Sequence, residues 1–502
     1  MSSFKFLSRL SAGFILLVFI ISPLVVAAIS DPGPSPSADL NPENPEIELP
    51  GAVEHVLGLD QIEIFRPQHE PFEAGKETSL SEFVDLSLNL AIQLALKNHL
   101  LMKLAREKIG ESEGLAWQSA SALLPHMFAS LAQQRTWRMN LTAMGFKQGG
   151  LVGPFNTFDA RFSLAQKLLD LSAVSRFQAG QVGVQIARYQ EKLAEQKVTL
   201  LAAMAYLEAL RSYGEFKAAQ ADLELAERLL EQARRQHAVG IATGVDVARA
   251  ETQVAEKKLR LEKSLADVHD AYIQLQRVVD VSFLSPVRLL NSLCFVNEIP
   301  VDAESAVGEA LRDRLESQIA RDQIRASRFK LNEARAEFLP KIEFTGDYGL
   351  SGTAPDDHDR SVGNVLFRAT MPVFESGQIY GQIKEASAKK RQEEFNYTDL
   401  RRQIEEDVRL ALWTLETGIE QVRAASKVVA LAQREFELAN HRFSQGLGDN
   451  VEVVSAQTTL AQARDTYISA LTSYHAARIN LYFSLGKTES FFLQNTAQNK
   501  EP

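Results

Sequence analysis

A stretch of six residues, Val245-Asp246-Val247-Ala248-Arg249-Ala250, recurs 206 residues later as Val451-Glu452-Val453-Val454-Ser455-Ala456. A second pair of matching stretches lies earlier in the chain, where Leu124-Pro125 returns 215 residues later as Leu339-Pro340. The two copies keep their register over long distances. Residues 86–487 are therefore one unit written twice, which predicts two copies of one structural unit.

Two long segments without proline dominate both copies. Residues 155–285 and 373–501 contain none, and proline costs about 3 kcal/mol in a helix interior. Each segment is rich in Ala, Leu, Glu, Gln and Arg, which favours helix. We expect a helix of about 65 residues after each hairpin, ending near His237 and near Phe443 and spanning roughly 100 Å.

Apolar and small residues recur in these segments at alternating steps of three and four, which predicts heptad seams between paired helices. The seam of the first long helix is Phe216, Ala219, Leu223, Ala226, Leu230, Ala233 and His237. The seam of its returning helix is Val247, Ala250, Val254, Lys257, Leu261, Ser264, Val268, Ala271, Leu275 and Val278. The matching seam in the second copy is Val453, Ala456, Leu460, Ala463, Tyr467, Ala470, Tyr474, Ala477 and Leu481.

A short pair of strands precedes each long helix. The first copy should have one helix over 86–123 and then strands over 125–137 and 158–169. In the second copy, Ile342, Phe344, Tyr348 and Leu350 alternate with polar residues, which predicts a strand with one apolar face. The returning strand should present Val365, Phe367, Ala369 and Met371 on its apolar side. The change in repeat offset predicts a longer loop in the first hairpin, over 139–156, than in the second, over 352–360.

The N-terminal segment has the features of a secretory signal peptide. Lys5 and Arg9 precede an apolar run, and Ala28-Ile29-Ser30 offers small residues for cleavage, so residues 1–30 are expected to be removed. An uncleaved membrane anchor is the alternative. Residues 31–78 are expected to form a Pro-rich flexible extension, since that composition cannot build a core.

Composition argues against several function classes. A formal net charge of −10 disfavours binding of nucleic acid, and a single cysteine, Cys294, allows no intrachain disulfide. Cys294 is either a linker residue or a redox site. The nine histidines are scattered, and Asp356-Asp357-His358-Asp359 is either a solvated turn or a metal site. No constellation supports catalysis, so we expect no enzymatic activity, no cofactor and no metal.

Alternating strands behind a signal peptide pose a problem of hydrogen bonding. In lipid every backbone donor and acceptor must be paired, so sheets cross membranes only as closed barrels. Four strands cannot close around an open lumen. Several chains must pool them, and three chains give twelve strands. The alternative, two soluble hairpins on a cytosolic coiled coil, conflicts with the signal peptide.

With both copies of the motifs in view, the chain resembles a TolC-family outer membrane factor. The resemblance covers residues 80–487 and includes both Leu-Pro strand starts and the stretch Met371-Pro372-Val373-Phe374-Glu375-Ser376-Gly377. The first copy departs from it, because Lys167-Leu168-Leu169-Asp170-Leu171-Ser172 lacks the proline and the glycine. The exit from the second strand of the first hairpin is therefore expected to differ.

The resemblance implies a fold class and a set of segments. The fold is mainly α with a small β part: a duplicated helix–β-hairpin–long helix–helix unit, assembled as a homotrimer with a twelve-strand β-barrel and a long α-helical periplasmic tunnel. The repeats are expected over 79–282 and 306–487. An inter-repeat equatorial segment is expected over 283–305, and a C-terminal tail over 488–502.

Two turns between paired helices are the candidate functional sites. The resemblance places adaptor docking at Val239-Gly240-Ile241 and Gln445-Gly446-Leu447, although the need for a sharp reversal alone explains the glycines. It places an entrance gate at Asp246 and Glu452. The residues themselves favour a second role for both acids, because Thr243-x-x-Asp246 and Asp449-x-x-Glu452 are typical of capping boxes.

The sequence therefore predicts a passive exit duct of the outer membrane that extends into the periplasm. It would belong to a tripartite efflux or type I secretion system, with a periplasmic adaptor (membrane fusion protein), an inner-membrane pump or ABC transporter, and outer-membrane lipid as partners. A periplasmic coiled-coil adaptor or structural protein is the alternative. The exported substrate stays open among drugs, metal ions, polysaccharide and polypeptide.

Overall fold

The computed structural model describes residues 84–487 except 141–150, 241, 296–301, 357–359 and 446. The predicted signal peptide, the Pro-rich extension, the C-terminal tail, Ile241, Gly446 and most of the Asp356–Asp359 cluster lie outside the described residues. Within them the chain forms the same succession of elements twice, as the repeat predicts.

The first copy begins with strand β1 (Val84–Leu86) and helices α1 (Leu88–Asn98) and α2 (Leu100–Ser121). A hairpin follows, made of β2 (His126–Thr136), the short strands β3 (Met139–Asn140) and β4 (Leu151–Val152), and β5 (Phe155–Leu169). The long helix α3 (Leu171–Ala238) and the returning helix α4 (Gly244–Val279) complete the copy.

The second copy begins after strand β6 (Val287–Leu289) with helices α5 (Ala303–Asp313) and α6 (Leu315–Ala336). Its hairpin is β7 (Lys341–Gly352) and β8 (Arg360–Thr370), followed by α7 (Gln378–Ser444) and α8 (Asn450–Ser484). The long helices α3 and α7 have 68 and 67 residues, which confirms the predicted rods of roughly 100 Å. None of the described helices has the length and apolar content needed to cross a membrane.

The two hairpins join into one antiparallel sheet in the order β2-β5-β7-β8. Its register places the predicted apolar residues together, with Phe344 opposite Phe367 and Ile342 opposite Ala369. The rings of Phe344 and Phe367 lie 4.9 Å apart between centroids. The predicted strand pairs are thus confirmed, except that Met371 lies beyond the end of β8. Sequence reasoning missed the parallel pair β1–β6 and the pair β3–β4.

The single helix predicted over 86–123 is wrong, because a break at His99 divides it into α1 and α2. The backbone of His99 leaves the helical region, with ψ of 139°, while its Nδ1 accepts a hydrogen bond from the Leu101 N–H at 3.2 Å. The second copy breaks at the equivalent residue, Arg314, with ψ of 131°. Both residues still donate their N–H to the preceding helix, His99 to Ala95 O at 2.8 Å and Arg314 to Ala310 O at 3.0 Å.

The heptad seams are confirmed for the returning helices. All nine predicted positions of α8 are buried. In α4, Ala250, Lys257, Ser264, Val268, Ala271 and Leu275 are buried, and the other four are half-buried.

The seam predicted for α3 is partly wrong. Ala219, Ala226 and Ala233 are buried, but His237 is exposed. Asp222 and Leu229 are the buried residues between the alanines, rather than Leu223 and Leu230, which are half-buried. The seam shifts because α3 packs against α8 of the second copy as well as against α4.

The two copies pass from sheet to long helix by different means. In the second copy, Ser376 and Gly377 take left-handed backbone conformations, with φ of 50° and 87°, and α7 follows. In the first copy, Asp170 alone makes the transition. Its buried carboxylate accepts hydrogen bonds from the N–H groups of Ser172 and Ala173, both at 3.1 Å, as an N-cap.

Burial by itself would raise the pKa of Asp170, but hydrogen bonds from the Ser172 hydroxyl, the Ala173 N–H and the Lys167 ammonium outweigh it and lower the pKa to about 2. The usual pKa of this group is 3.8. The carboxylate therefore stabilises the fold fully above about pH 4, and this stabilisation is lost as the pH falls toward 2.

We predict that Asp170→Ala destabilises the protein by about 1–2 kcal/mol at neutral pH, because two N–H groups of the first turn of α3 lose their acceptor. Asp170→Asn keeps an acceptor oxygen and should recover most of the loss. The measurement is the thermal unfolding midpoint of the purified protein between pH 7 and pH 2. The midpoints of wild type and the alanine variant should converge near pH 2, and a constant difference over this range would contradict the assignment.

Candidate functional site

The ends of the two helical hairpins carry the predicted site residues. We call residues 239–243, between α3 and α4, the first tip turn, and residues 445–449, between α7 and α8, the second tip turn. The two turns lie side by side, because Asn450 Nδ2 donates to Asp246 O at 2.9 Å and Gln236 Nε2 donates to Phe443 O at 3.0 Å. The structure therefore brings Asp246 and Glu452 to the same end of the molecule.

The first tip turn is reversed by glycine. Gly240 has φ of 78°, a left-handed conformation that favours a residue without Cβ. Its N–H donates to His237 O at 3.0 Å, and the Ala242 N–H donates to Gln236 O at 3.3 Å, so the last carbonyls of α3 are partly satisfied. Val239 sits on this turn with 70% of its surface exposed.

The capping box predicted at Thr243 and Asp246 is confirmed. The Asp246 Oδ2 accepts from the Thr243 N–H at 2.9 Å and from Thr243 Oγ1 at 2.7 Å, and the Asp246 N–H returns a bond to Thr243 Oγ1 at 3.3 Å. The hydroxyl of Thr243 lowers the pKa of Asp246, as do the Thr243 N–H and the charge of Arg249, while burial opposes them. Asp246 is therefore held as a carboxylate.

The capping box predicted at Asp449 and Glu452 is wrong in its second half. Asp449 does cap α8, since its Oδ1 accepts from the Val451 N–H at 3.2 Å. Glu452 does not turn back to the cap; its Oε1 accepts from Arg442 Nη1 at 2.9 Å. Arg442 lies in the last turn of α7, and its long side chain reaches the Glu452 carboxylate across the turn. The guanidinium therefore binds this carboxylate in place of the backbone N–H of the cap.

Each of the two acids thus has an arginine beside it. Arg249 Nη1 lies 3.6 Å from Asp246 Oδ1 on the same helix, and Arg442 belongs to the helix that precedes Glu452. The local charge at the tips is therefore mixed. The side chains of Arg249 and Arg442 are 49% and 59% exposed, so water screens both ion pairs substantially.

The tip turns also present apolar side chains to solvent. Leu447, on the second tip turn, is 70% exposed, the same as Val239 on the first. Val245 and Val451, at the start of α4 and α8, are exposed as well. Four exposed apolar side chains therefore lie at the ends of the two helical hairpins.

The sequence also offered the Asp356–Asp359 cluster and Cys294 as candidate sites. Only Asp356 of the Asp356–Asp359 cluster is described, and within the described ranges no group of three His, Cys, Asp or Glu side chains could hold a metal ion. Cys294 is exposed, with its Sγ 3.2 Å from Ser292 Oγ.

Sequence reasoning missed Gln236 and Asn450, whose amides join the two tips, and Arg442, which pairs with Glu452 within the second hairpin. A charged or amide side chain inside a coiled-coil stretch is the signal that could have found them.

The family of outer membrane efflux proteins matches residues 91–279 and 306–487. The outer membrane protein TolC of Escherichia coli (strain K12) is 24% identical over 442 residues, which cover 81% of this chain and 84% of TolC. The pyoverdine export outer membrane protein OpmQ of Pseudomonas aeruginosa is 24% identical over 429 residues, which cover 80% of this chain and 85% of OpmQ.

Solved structures agree with the fold. The outer membrane channel CmeC of Campylobacter jejuni matches with a TM-score of 0.71 at 19% identity, covering 92% of this chain and 97% of CmeC. The agreement extends over nearly the full length of both chains.

We predict that the two tips respond differently to loss of their acids. Asp246→Ala removes the acceptor of the Thr243 N–H, so amide exchange at the start of α4 should rise roughly tenfold, as expected for a cap worth about 1.4 kcal/mol. Glu452→Ala removes only a screened ion pair and should change exchange at the start of α8 less than about twofold. Hydrogen exchange with mass spectrometry measures both, and equal effects at the two tips would contradict the asymmetry described above.

Proposed function

The chain belongs to the outer membrane efflux protein family, and from that premise we propose that it is a passive exit duct of the outer membrane. It receives substrates from an inner-membrane pump or ABC transporter through a periplasmic adaptor and releases them outside the cell. Relatives include proteins named for pyoverdine export and for alkaline protease secretion. One duct architecture therefore serves substrates of very different size.

The observation that carries this proposal is the four-stranded sheet. Its outer strands, β2 and β8, each pair on one side only within the part of the chain that the structure describes. Unpaired edges are unstable in hydrocarbon. The strand directions alternate along β2-β5-β7-β8, so β8 of one copy meets β2 of the next in antiparallel order. Three copies then close a twelve-strand barrel.

The two faces of the sheet suit this arrangement. Phe162, Tyr348 and Phe367 belong to the apolar face and are exposed, as side chains that face lipid would be. The other face is polar. On the polar face, Arg161 Nη1 of β5 donates to Asp347 Oδ2 of the neighbouring strand β7 at 3.0 Å. Such a charged pair is typical of a water-filled lumen.

The segments around the repeats take roles in this proposal. Residues 1–30 direct export and are removed, and 31–78 form the extension ahead of the first repeat, 79–282. Residues 283–305 form a belt around the middle of the tunnel, followed by the second repeat, 306–487, and the tail, 488–502. Strand β6 lies in the belt segment and pairs with β1, which supports a structured belt.

The tip turns serve in docking and gating. The adaptor docks on Val239-Gly240-Ile241 and Gln445-Gly446-Leu447, and the exposed apolar side chains of Val239 and Leu447 support this. Asp246 and Glu452 line the entrance, where three copies gather six carboxylates. Their neighbours Arg249 and Arg442 offset part of that charge, so the entrance should favour cations moderately.

We predict that Asp246→Asn combined with Glu452→Gln weakens cation selectivity and block by polyvalent cations added on the periplasmic side. Like charges in a narrow entrance attract cations, and removing them lowers that attraction. The measurement is single-channel conductance in planar bilayers. Glu406→Gln with Glu420→Gln, two exposed acids on α7, is the matched control. If the double variant keeps wild-type selectivity and block, the two acids serve the turns only and the gate lies elsewhere.

We also predict that Val239→Asp with Leu447→Asp abolishes export in cells while the protein still assembles in the outer membrane. Charges on both tip turns oppose burial against a partner. Thr252→Asp with Thr459→Asp adds the same charge at exposed positions farther along α4 and α8 and should leave export intact. Normal export by the tip variant would count against docking at these turns.

A further inference from the structure

A group of charged residues joins the two helical hairpins well above the tips. Asp222 on α3 is 1% exposed, and its carboxylate accepts from Arg464 Nη1 at 3.1 Å and from Arg260 Nη1 at 3.2 Å. Arg260, on α4, also pairs with Asp465, which neighbours Arg464 on α8. We call these four residues the Asp222 network.

The network links three helices from both copies of the repeat. Asp222 and Arg260 belong to the first hairpin, α3–α4, and Arg464 and Asp465 belong to the second, α7–α8. Gln457 Nε2 adds a bond to Asp222 O at 3.4 Å. The buried carboxylate of Asp222 thus joins the two hairpins. Asp222 lies 16 residues before Ala238, the end of α3, which places the network roughly 24 Å from the tip.

The ties between the hairpins at the tip are weaker. They are the hydrogen bonds from Asn450 Nδ2 to Asp246 O and from Gln236 Nε2 to Phe443 O. Such neutral bonds exchange easily for bonds to water, so their net contribution is small. Separating the hairpins at the network would break two charge-assisted contacts, Arg464–Asp222 and Arg260–Asp465, and would leave the buried Asp222 carboxylate with Arg260 as its remaining arginine, which is more costly. Burial raises the pKa of Asp222, against the opposing charges of Arg464, Arg260 and Lys257, as expected for so desolvated a group.

Between these two levels the hairpins also share apolar contacts. Leu229 of α3 packs with the core of α7 and α8, and Leu225 packs partly against the same core. Moving the tips apart would expose these contacts but would leave the seam inside the second hairpin intact, because Val429 and Leu460 pack within that hairpin. Separation of the hairpins below the Asp222 network would therefore break apolar contacts and two amide hydrogen bonds, and no charged pair between the hairpins that the structure shows.

We propose that the Asp222 network is the pivot of the duct entrance: the hairpins separate below it when the duct opens and stay together above it. The inference rests on the proposed function, since it assumes an entrance at the tips. Asp222 acts as a positioning residue that sets how far along the tunnel the opening extends.

The first test is single-channel conductance of Asp222→Asn in planar bilayers, in a Cys294→Ser background. The neutral side chain leaves Arg464 without its anion and Arg260 with Asp465 alone, so the hairpins are held together less firmly, the tips part more often, and the resting conductance should rise several-fold. Glu420→Gln, which removes an acid from an exposed pair within α7, is the matched control and should conduct as wild type. Equal conductance of the two variants would overturn the proposal.

A second test determines how far along the tunnel the hairpins separate. A Cβ added at Gly214 would lie 3.8 Å from Ile468 Cγ2, and this contact joins α3 to α8 eight residues above Asp222. Gly214→Cys with Ile468→Cys, joined by a short thiol crosslinker, should restore resting conductance in the Asp222→Asn chain. It should leave the conductance of the chain with an intact network unchanged.

The outcomes separate the two proposals. A crosslink that reduces conductance of the chain with an intact network shows that the hairpins already part above Asp222, which overturns the pivot. A crosslink that fails to restore the Asp222→Asn chain overturns it as well. If Asp222→Asn does not fold, the crosslink in the intact network still decides. Absence of any channel in the wild type would instead contradict the duct function.

Discussion

Hydrocarbon offers no hydrogen-bond partner to a backbone amide, and the sheet β2-β5-β7-β8 carries two edges of such amides. Much of the molecule follows from closing those edges. One chain supplies too few strands to close around a lumen. Pooling strands from several copies requires the same sheet in each, and the alternating directions allow β8 to meet β2 of a neighbour. The long helices that leave the sheet are then gathered into a common tunnel.

Apolar contacts and polar contacts both stabilise the tunnel. Inside the second hairpin, large residues alternate with alanine along α8, from Val453 to Leu481, so the paired helices approach closely. Between hairpins the structure places amides at the tips and the buried Asp222 deeper. Apolar seams stabilise each pair, and the two pairs are joined by these polar contacts together with apolar ones, such as that of Leu229 with the core of α7 and α8. Such an arrangement suits the proposed opening at one end of the tunnel.

The duplicated unit shows two solutions to one junction. The second copy turns from strand to helix through Ser376 and Gly377, whose backbones are left-handed. The first copy uses a single buried carboxylate, Asp170, to satisfy the first turn of α3. Repetition of a fold therefore constrains the path of the chain more tightly than it constrains the side chains that hold it.

Hydrophobic periodicity in the sequence predicted the elements that depend on local sequence pattern. The four strands of the main sheet, the two long helices and every seam position of α8 follow from local patterns of two, three and four residues. The breaks at His99 and Arg314 did not, because one extended ψ angle leaves no pattern in the sequence. The buried Asp222 and the pair Arg442–Glu452 depend on neighbours from other helices or on side-chain reach across a turn. Contacts of this kind are fixed only when the helices are placed.

If other copies of the chain complete the sheet, the purified particle must contain several chains, and its mass shows how many. Native mass spectrometry of the protein released from detergent counts the chains without reference to any single residue. We expect a particle of three chains, each of at most 55.7 kDa. A stable folded particle of one chain would leave both sheet edges open and would contradict this account.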